Sequence, residues 1–530
     1  MKLKKVVSLL LVAMIALGLL AACGSEEGSG SSVSQSQSQS QSQSASDSFA
    51  SGFDEDPAEI VVAWWHLNVV PSDMDMVSEA LSEYTLEKIN VKVTLNIMDA
   101  GTYLTQAPLM VSTGEKLDLM CTFPAAAGHF NSMKAQGQLT PLNDYLEEYG
   151  QEMVAALPNE SFLNATTYKG DILAMPVLAN KASNLYWYAR KAEFDELGID
   201  ISTIQTVEDL EEMLYAAKEQ FPTKTILGGN AKTLNLLYSG MDPIHQLYYD
   251  VLGAANDYCV AVEYDAAGNT DYKVINYWET EEFAEGEALI RKWYDDGLVD
   301  KDLATKDQAD DPLADPNVFS AFTAGNYTRV DQLAAAQKTE FVSVKLQDGY
   351  IDTGRLVQMT WAVPVSATEP EAAVKFMNLM YTDEYVVNMM NYGIEGTHYV
   401  KNADGTLSFP EGQEQASVGY YTGSQQFTGN SFLSYVMEGN DPNANEILRK
   451  DMETAIYSPI MGFSFDRAPV SGAFDVLSSM IQDEYKPALT SGSGSTDMLE
   501  TFIGKMKSAG IDDVIAEAQS QLDAWMAENK

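Results

Sequence analysis

Histidine and cysteine are scarce in this sequence, 4 and 3 among 530 residues. Zinc and related metal centres draw on clusters of such side chains. The chain has no Cys/His cluster, so neither a catalytic metal nor another cofactor is expected. Basic residues are also few, 32 Lys and Arg against 77 Asp and Glu, for a net charge of -45. Nucleic-acid binding needs a basic footprint, so it is excluded as a function. The acid surplus favours solubility and repels anionic lipid; salt screens such fields within about 8 Å, so it says nothing about the charge of a ligand. A Walker-type Gly-rich loop and a Gly-x-Ser-x-Gly elbow are absent. A glycosidase needs two placed carboxylates, but 77 acidic residues make accidental pairs unavoidable. No enzyme is expected.

What is present begins at the first residues. Lys2, Lys4 and Lys5 precede an apolar stretch from Val6 to Leu20, followed by Leu20-Ala21-Ala22-Cys23. That is a basic n-region, an h-region and a small-residue cleavage site, too short for a bilayer-spanning helix of about 20 apolar residues. Leu-Ala-Ala-Cys resembles the lipobox of bacterial lipoproteins, which implies a signal peptide over 1–22 and a lipid on Cys23. The chain would then sit on the extracytoplasmic face of the cell membrane. Residues 23–56 are dominated by Ser, Gln and Gly, with strict Ser-Gln alternation from Ser34 to Ser44. Too few apolar side chains are available there to offset the entropy of ordering the chain, so a flexible tether is expected. Its typical span is on the order of 30 Å.

The remainder, 45% hydrophobic over the full chain, is large enough for two lobes with separate cores. Cys121 lies in an apolar run and reads as a core thiol, with a bridge to Cys259 left open. Glu59–His66, Val91–Ile97 and Lys116–Phe123 read as strands, with helices from about Ser72 and over Tyr103–Ser112 between them. This β-α-β-α-β order predicts a parallel sheet covered on both faces. Leu185–Ala189 and Val318–Thr323 read as strands of a second lobe, Thr206 as a helix cap, Trp361–Val365 as the return crossing and Pro370–Tyr381 as a helix after it.

Asn184–Gly198, the Thr206 helix start, Trp361–Ser366 and Glu371–Asp383 together resemble the carbohydrate-binding branch of the extracellular solute-binding proteins of ABC importers. Asn391–Tyr399 (NYGIEGTHY) and the ending Ala509-Gly510-Ile511 with Gln519–Trp525 are similar to a lipoprotein subgroup with an extra C-terminal region. Tyr188-Ala189-Arg190 departs from the Tyr-Asn-Lys of many relatives. The resemblance implies an α/β, two-lobed periplasmic-binding-protein-like fold with a hinge and an interlobe ligand cleft. Lobe one is expected over 57–176 plus 362–410, and lobe two over 177–361 plus 411–530. The implied partners are a carbohydrate, ABC permease subunits and, through the lipid, the membrane. A receptor for peptides or another small solute on the same scaffold is the alternative.

Open parallel sheets bind ligands beyond the carboxyl ends of their strands. That rule nominates Trp65 and His66 after the first strand, Asp99 after the second and Phe123 after the third. Sugars offer apolar faces and many hydroxyls, so aromatic rings beside carboxylates suit them. Trp64 and Trp65 point to opposite sides of their strand, so one of the two belongs to the core. Tyr186, Tyr327, Trp361 and Glu395 complete the candidate set, Tyr327 being favoured. Two glycines in the Gly393–Gly396 stretch make Glu395–His398 a loop rather than a helical metal pair. The acidic segments Asp307–Asp315 and Asp265–Asp271 lack EF-hand spacing and read as solvated loops.

Overall fold

Strand β1 (Ala58–His66) is buried along most of its length, as a strand covered on both faces must be. It pairs in parallel with β2 (Val91–Asp99) and β3 (Leu119–Cys121). Helices α1 (Met74–Ile89) and α2 (Ala100–Thr113) make the crossovers, in the order the hydrophobic spacing predicts. In this computed structural model the described residues are 53, 55–66, 70–123, 128–229, 233–234, 236–237, 240–253, 259–305, 311–326, 328–423 and 427–529. The expected signal peptide, Cys23, most of the expected tether and Tyr327 lie outside them.

Two short strands, β4 (Met175–Pro176) and β5 (Thr360–Ala362), complete a five-stranded sheet in the order β2-β1-β3-β5-β4. β5 runs antiparallel to both neighbours. The carboxyl ends of β1 to β4 and the entrance to β5 therefore share one edge. Helix α1 ends at Asn90 in the left-handed conformation, φ 56°. Helix α2 starts three residues before its expected first residue, because the Asp99 carboxylate accepts the Thr102 N–H at 3.0 Å and caps it.

The second core is organised by the strand Asn184–Arg190, which pairs antiparallel with Phe341–Gln347 and Val318–Gly325; the latter runs parallel to Thr225–Gly228. Thr206 caps the helix Val207–Gln220 in a capping box with Asp209, as its sequence position predicts. An antiparallel meander over 241–276 and the C-terminal helices extend this core, which takes in Phe463, Phe474, Leu477, Phe502, Val514 and Leu522. Cys121 is buried in the first core and Cys259 in the second, and burial pushes the Cys121 thiol up to about 12.

Core membership differs from the expected boundaries in two places. Ile351, Leu356, Val357 and Trp361 belong to the first core, so the return crossing lies about ten residues before Trp361. Tyr420, Phe427, Met452 and Ala455 also join the first core rather than the second. Their apolar side chains are spaced without a helix or strand period, so only the packed structure assigns them. The chain passes between the cores near 182–185, again near 347–351, and a third time near 455–463. The passages are knitted together. Tyr350–Ile351 pairs in parallel with Ile456–Tyr457, and the Gly349 N–H reaches Asn184 Oδ1 at 2.7 Å. A Cβ at Gly349 would stand 2.7 Å from the Ser183 backbone nitrogen, so only glycine permits this approach.

Candidate functional site

The two adjacent tryptophans of β1 separate as the strand period requires. Trp64 is wholly buried and meets Trp361 edge-on at 6.1 Å. Trp65, at the carboxyl edge, packs its ring 4.9 Å from Phe123 and 4.4 Å from Phe427. Phe123, the half-buried member, is placed by β3 and by its backbone N–H to Gly128 O at 2.8 Å. Beside it, Tyr103 of α2 donates to Cys121 O at 2.6 Å and locks the end of β3. The result is a three-ring shelf on the edge where open α/β sheets bind ligands.

Residues 419–423 and 427–433 lie over that edge. His66 is buried and donates Nε2–H to Thr422 O. Trp361 Nε1–H donates to Phe427 O at 2.6 Å. Leu178 joins the same segment through hydrogen bonds with Gly429 and Ser431, both 2.8 Å. Gly429 has φ +58°, and a Cβ there would stand 2.3 Å from Met380 O. His66 and Trp361 thus hold the covering segment in place, and Trp361 is fully buried by it. Asp99 is exposed and occupied as the α2 cap; its bonds to Thr102 hold its carboxyl below the usual range. Phe427 went unnominated because nothing local in its sequence marks it as a neighbour of Trp65.

Tyr186 lies in the second core's sheet with Tyr188, Leu313 and Val318, and its hydroxyl accepts from Asn184 Nδ2 at 3.2 Å. Burial pushes its pKa up to about 12. Glu395 is exposed and 3.5 Å from Lys401. It stands in a tight loop in which His398 Nδ1 accepts the Ile394 N–H at 2.9 Å and His398 Nε2 lies 3.3 Å from Asp73 Oδ2. The structure therefore assembles Trp65 and Phe123, seals His66 and Trp361, and leaves Asp99 and Glu395 on the surface. Tyr327 lies outside the described residues.

The first passage between the cores carries polar groups that pattern reasoning missed. Asp451 accepts from Asn180 Nδ2 at 2.8 Å and from Asn184 Nδ2 at 2.9 Å. Lys181, between those two amides, is half-buried and has no hydrogen bond or ion pair with any described residue. Burial lowers its pKa to about 8. In sequence it is a lysine among alanines and polar residues, with no spacing signal to single it out.

A family model described as bacterial extracellular solute-binding protein matches residues 71–387, and one described as a domain of unknown function (DUF3502) matches 459–527. A carbohydrate ABC transporter substrate-binding protein of Streptococcus pneumoniae serotype 4 is 24% identical over 476 residues, covering 89% of this chain and 92% of that one. Lipoprotein LipO of Bacillus subtilis is 23% identical over 474 residues, 84% of this chain and 86% of its own. Among solved structures, the N-glycan transport solute binding protein NgtS of S. pneumoniae superposes with a TM-score of 0.72 at 22% identity, covering 89% of this chain and 100% of that one. The mixed α/β fold with two cores is the fold of these binding proteins.

Proposed function

The chain belongs to the bacterial extracellular solute-binding protein family, and on that premise we propose that it is the lipid-anchored receptor of an ABC importer. It captures a sugar or oligosaccharide and delivers it to a membrane permease. The observation that carries this reading is the aromatic shelf of Trp65, Phe123 and Phe427 at the carboxyl edge of the first sheet. Ring faces match the apolar C–H faces of sugars, and binding sites of this kind combine such surfaces with a few placed polar groups. Tyr186, on the sheet of the second core, and Tyr327, by its sequence position, are the further ligand contacts of this reading. Two of the relatives, a carbohydrate transporter component and an N-glycan transport protein, point the same way.

Closure of two lobes about the three passages is stabilised only by contacts the ligand makes in the closed state. ATP hydrolysis belongs to partner subunits, because the sequence has no Walker-type loop. A lipid on Cys23 and a leash of roughly 30 Å keep the receptor at high effective concentration near its permease.

A thermal-shift screen over oligosaccharides and peptides tests the reading. A ligand that binds only the native state raises the melting temperature, by an amount set by about 2.7 kcal/mol at one hundred times Kd. Stabilisation by a saccharide is expected; stabilisation by peptides alone would overturn it. Cys23→Ser should move the protein from the membrane fraction to the medium, and unchanged fractionation would remove the lipid anchor.

A further inference from the structure

We propose that Lys181 contacts the ligand, and that the captured saccharide carries an anionic group, a carboxylate, sulfate or phosphate, that pairs with it. The inference rests on the solute-binding reading above and narrows it.

Position comes first. Lys181 follows β4, whose carboxyl end lies on the same edge as those of β1 and β3, and the Cys121 thiol of β3 is near enough to act on its charge. Phe123, two residues further along, belongs to the aromatic shelf. The lysine also occupies the first passage between the cores, where the walls of a closing site converge. Its residue is half-buried rather than sealed.

Its lack of a partner comes second. An ammonium has three donors and no acceptor, and burying it unpaired is costly. Two other half-buried lysines are compensated. Lys224 pairs with Glu193 at 2.6 Å. Lys134 lies over the rings of Phe130 and Tyr168, at 5.5 and 5.3 Å, and in the field of Asp466. Among the described residues Lys181 has neither a carboxylate nor a ring as partner, in a chain with 77 acidic residues. Asp451, the carboxylate that the flanking Asn180 and Asn184 amides reach, is occupied by those two amides. The Cys121 thiol that faces the lysine is neutral at physiological pH, its pKa pushed up to about 12. An arriving anion would supply the missing partner through charge-assisted hydrogen bonds, which are about twice as strong as neutral ones. It would also explain how a strongly acidic protein, whose field repels anions, holds one locally.

The experiment is a glycan panel of neutral and acidic oligosaccharides, including sialyllactose with lactose and trigalacturonate with galactotriose, titrated calorimetrically into the mature chain. Lys181→Gln, Lys181→Arg and the surface control Lys450→Gln are measured beside it, each checked for an unchanged melting temperature. An acidic glycan should bind at least tenfold more tightly than its neutral counterpart. Lys181→Gln should abolish that preference, while Lys181→Arg and Lys450→Gln retain it. The preference should also fall between pH 7 and pH 9 as the amine loses its proton. Tight binding of neutral glycans with no acidic preference, or a preference that survives Lys181→Gln, would overturn this inference and leave the saccharide reading standing. Failure of every glycan would overturn both.

Discussion

Trp361 donates its indole N–H to the carbonyl oxygen of Phe427 across 2.6 Å, and the same Phe427 ring lies 4.4 Å from Trp65. One hydrogen bond therefore connects the interior of the first core to the aromatic shelf at its edge. Trp361→Phe removes the donor and leaves a buried carbonyl without its partner, at a cost of about 1–3 kcal/mol. Urea unfolding should register that loss, and ligand affinity should weaken as the ring above Trp65 loosens. A variant as stable as the wild type would show that the covering segment is held by other contacts.

Phe427→Ala separates packing from binding. Deleting a buried phenyl ring costs about 3–5 kcal/mol of stability, and a ring pair contributes about 0.5–1.5 kcal/mol beyond area. Phe123→Ala, at a half-buried position, should cost less stability and more affinity. The ratio of the two effects, from paired denaturation and titration experiments, identifies which ring the ligand meets.

Asp451 holds two amides of the first passage, Asn180 and Asn184. Bonds to a charged acceptor are worth about 1.5–3 kcal/mol each, and they share one carboxylate, so Asp451→Ala should destabilise by about 2–4 kcal/mol. Asp451→Asn should recover part of it. Because these bonds hold the connection between the cores, hydrogen exchange should quicken over 180–184 before it changes elsewhere.

Asp250 is buried, and Ser458 Oγ–H reaches its Oδ2 at 2.5 Å. Burial raises its pKa well above the usual carboxylate value, the neighbouring Asp352 carboxylate adds to the rise, and the Ser458 bond and Arg355 oppose it. Tyr264 and Tyr350 lie in the same polar cluster. A carboxyl whose folded pKa is raised binds more protons folded than unfolded. Its contribution to stability therefore falls as pH rises from about 3.9 through the raised folded value. Asp250→Asn cannot ionise, so its stability should decline less than the wild type's between pH 5 and pH 8. Parallel urea midpoints across that range check this, and identical slopes would exclude Asp250 as the titrating group.

The sequence by itself determined the elements that depend on neighbours a few residues apart. The order β-α-β-α-β, the Thr206 cap with Asp209, the strand Val318–Gly325 and the helix from Pro370 all follow from apolar period and capping chemistry. So did the opposite facing of Trp64 and Trp65, since a strand's side chains alternate. Tertiary structure alone decided that both Trp64 and Trp65 are buried in the first core, that residues 419–423 and 427–433 cover the first sheet, and that Asp99 caps α2 while Trp361 is sealed. His66 meets Thr422 across 356 positions and Trp361 meets Phe427 across 66. No periodic pattern spans such separations. Partners so far apart are selected by the close packing of a finished core.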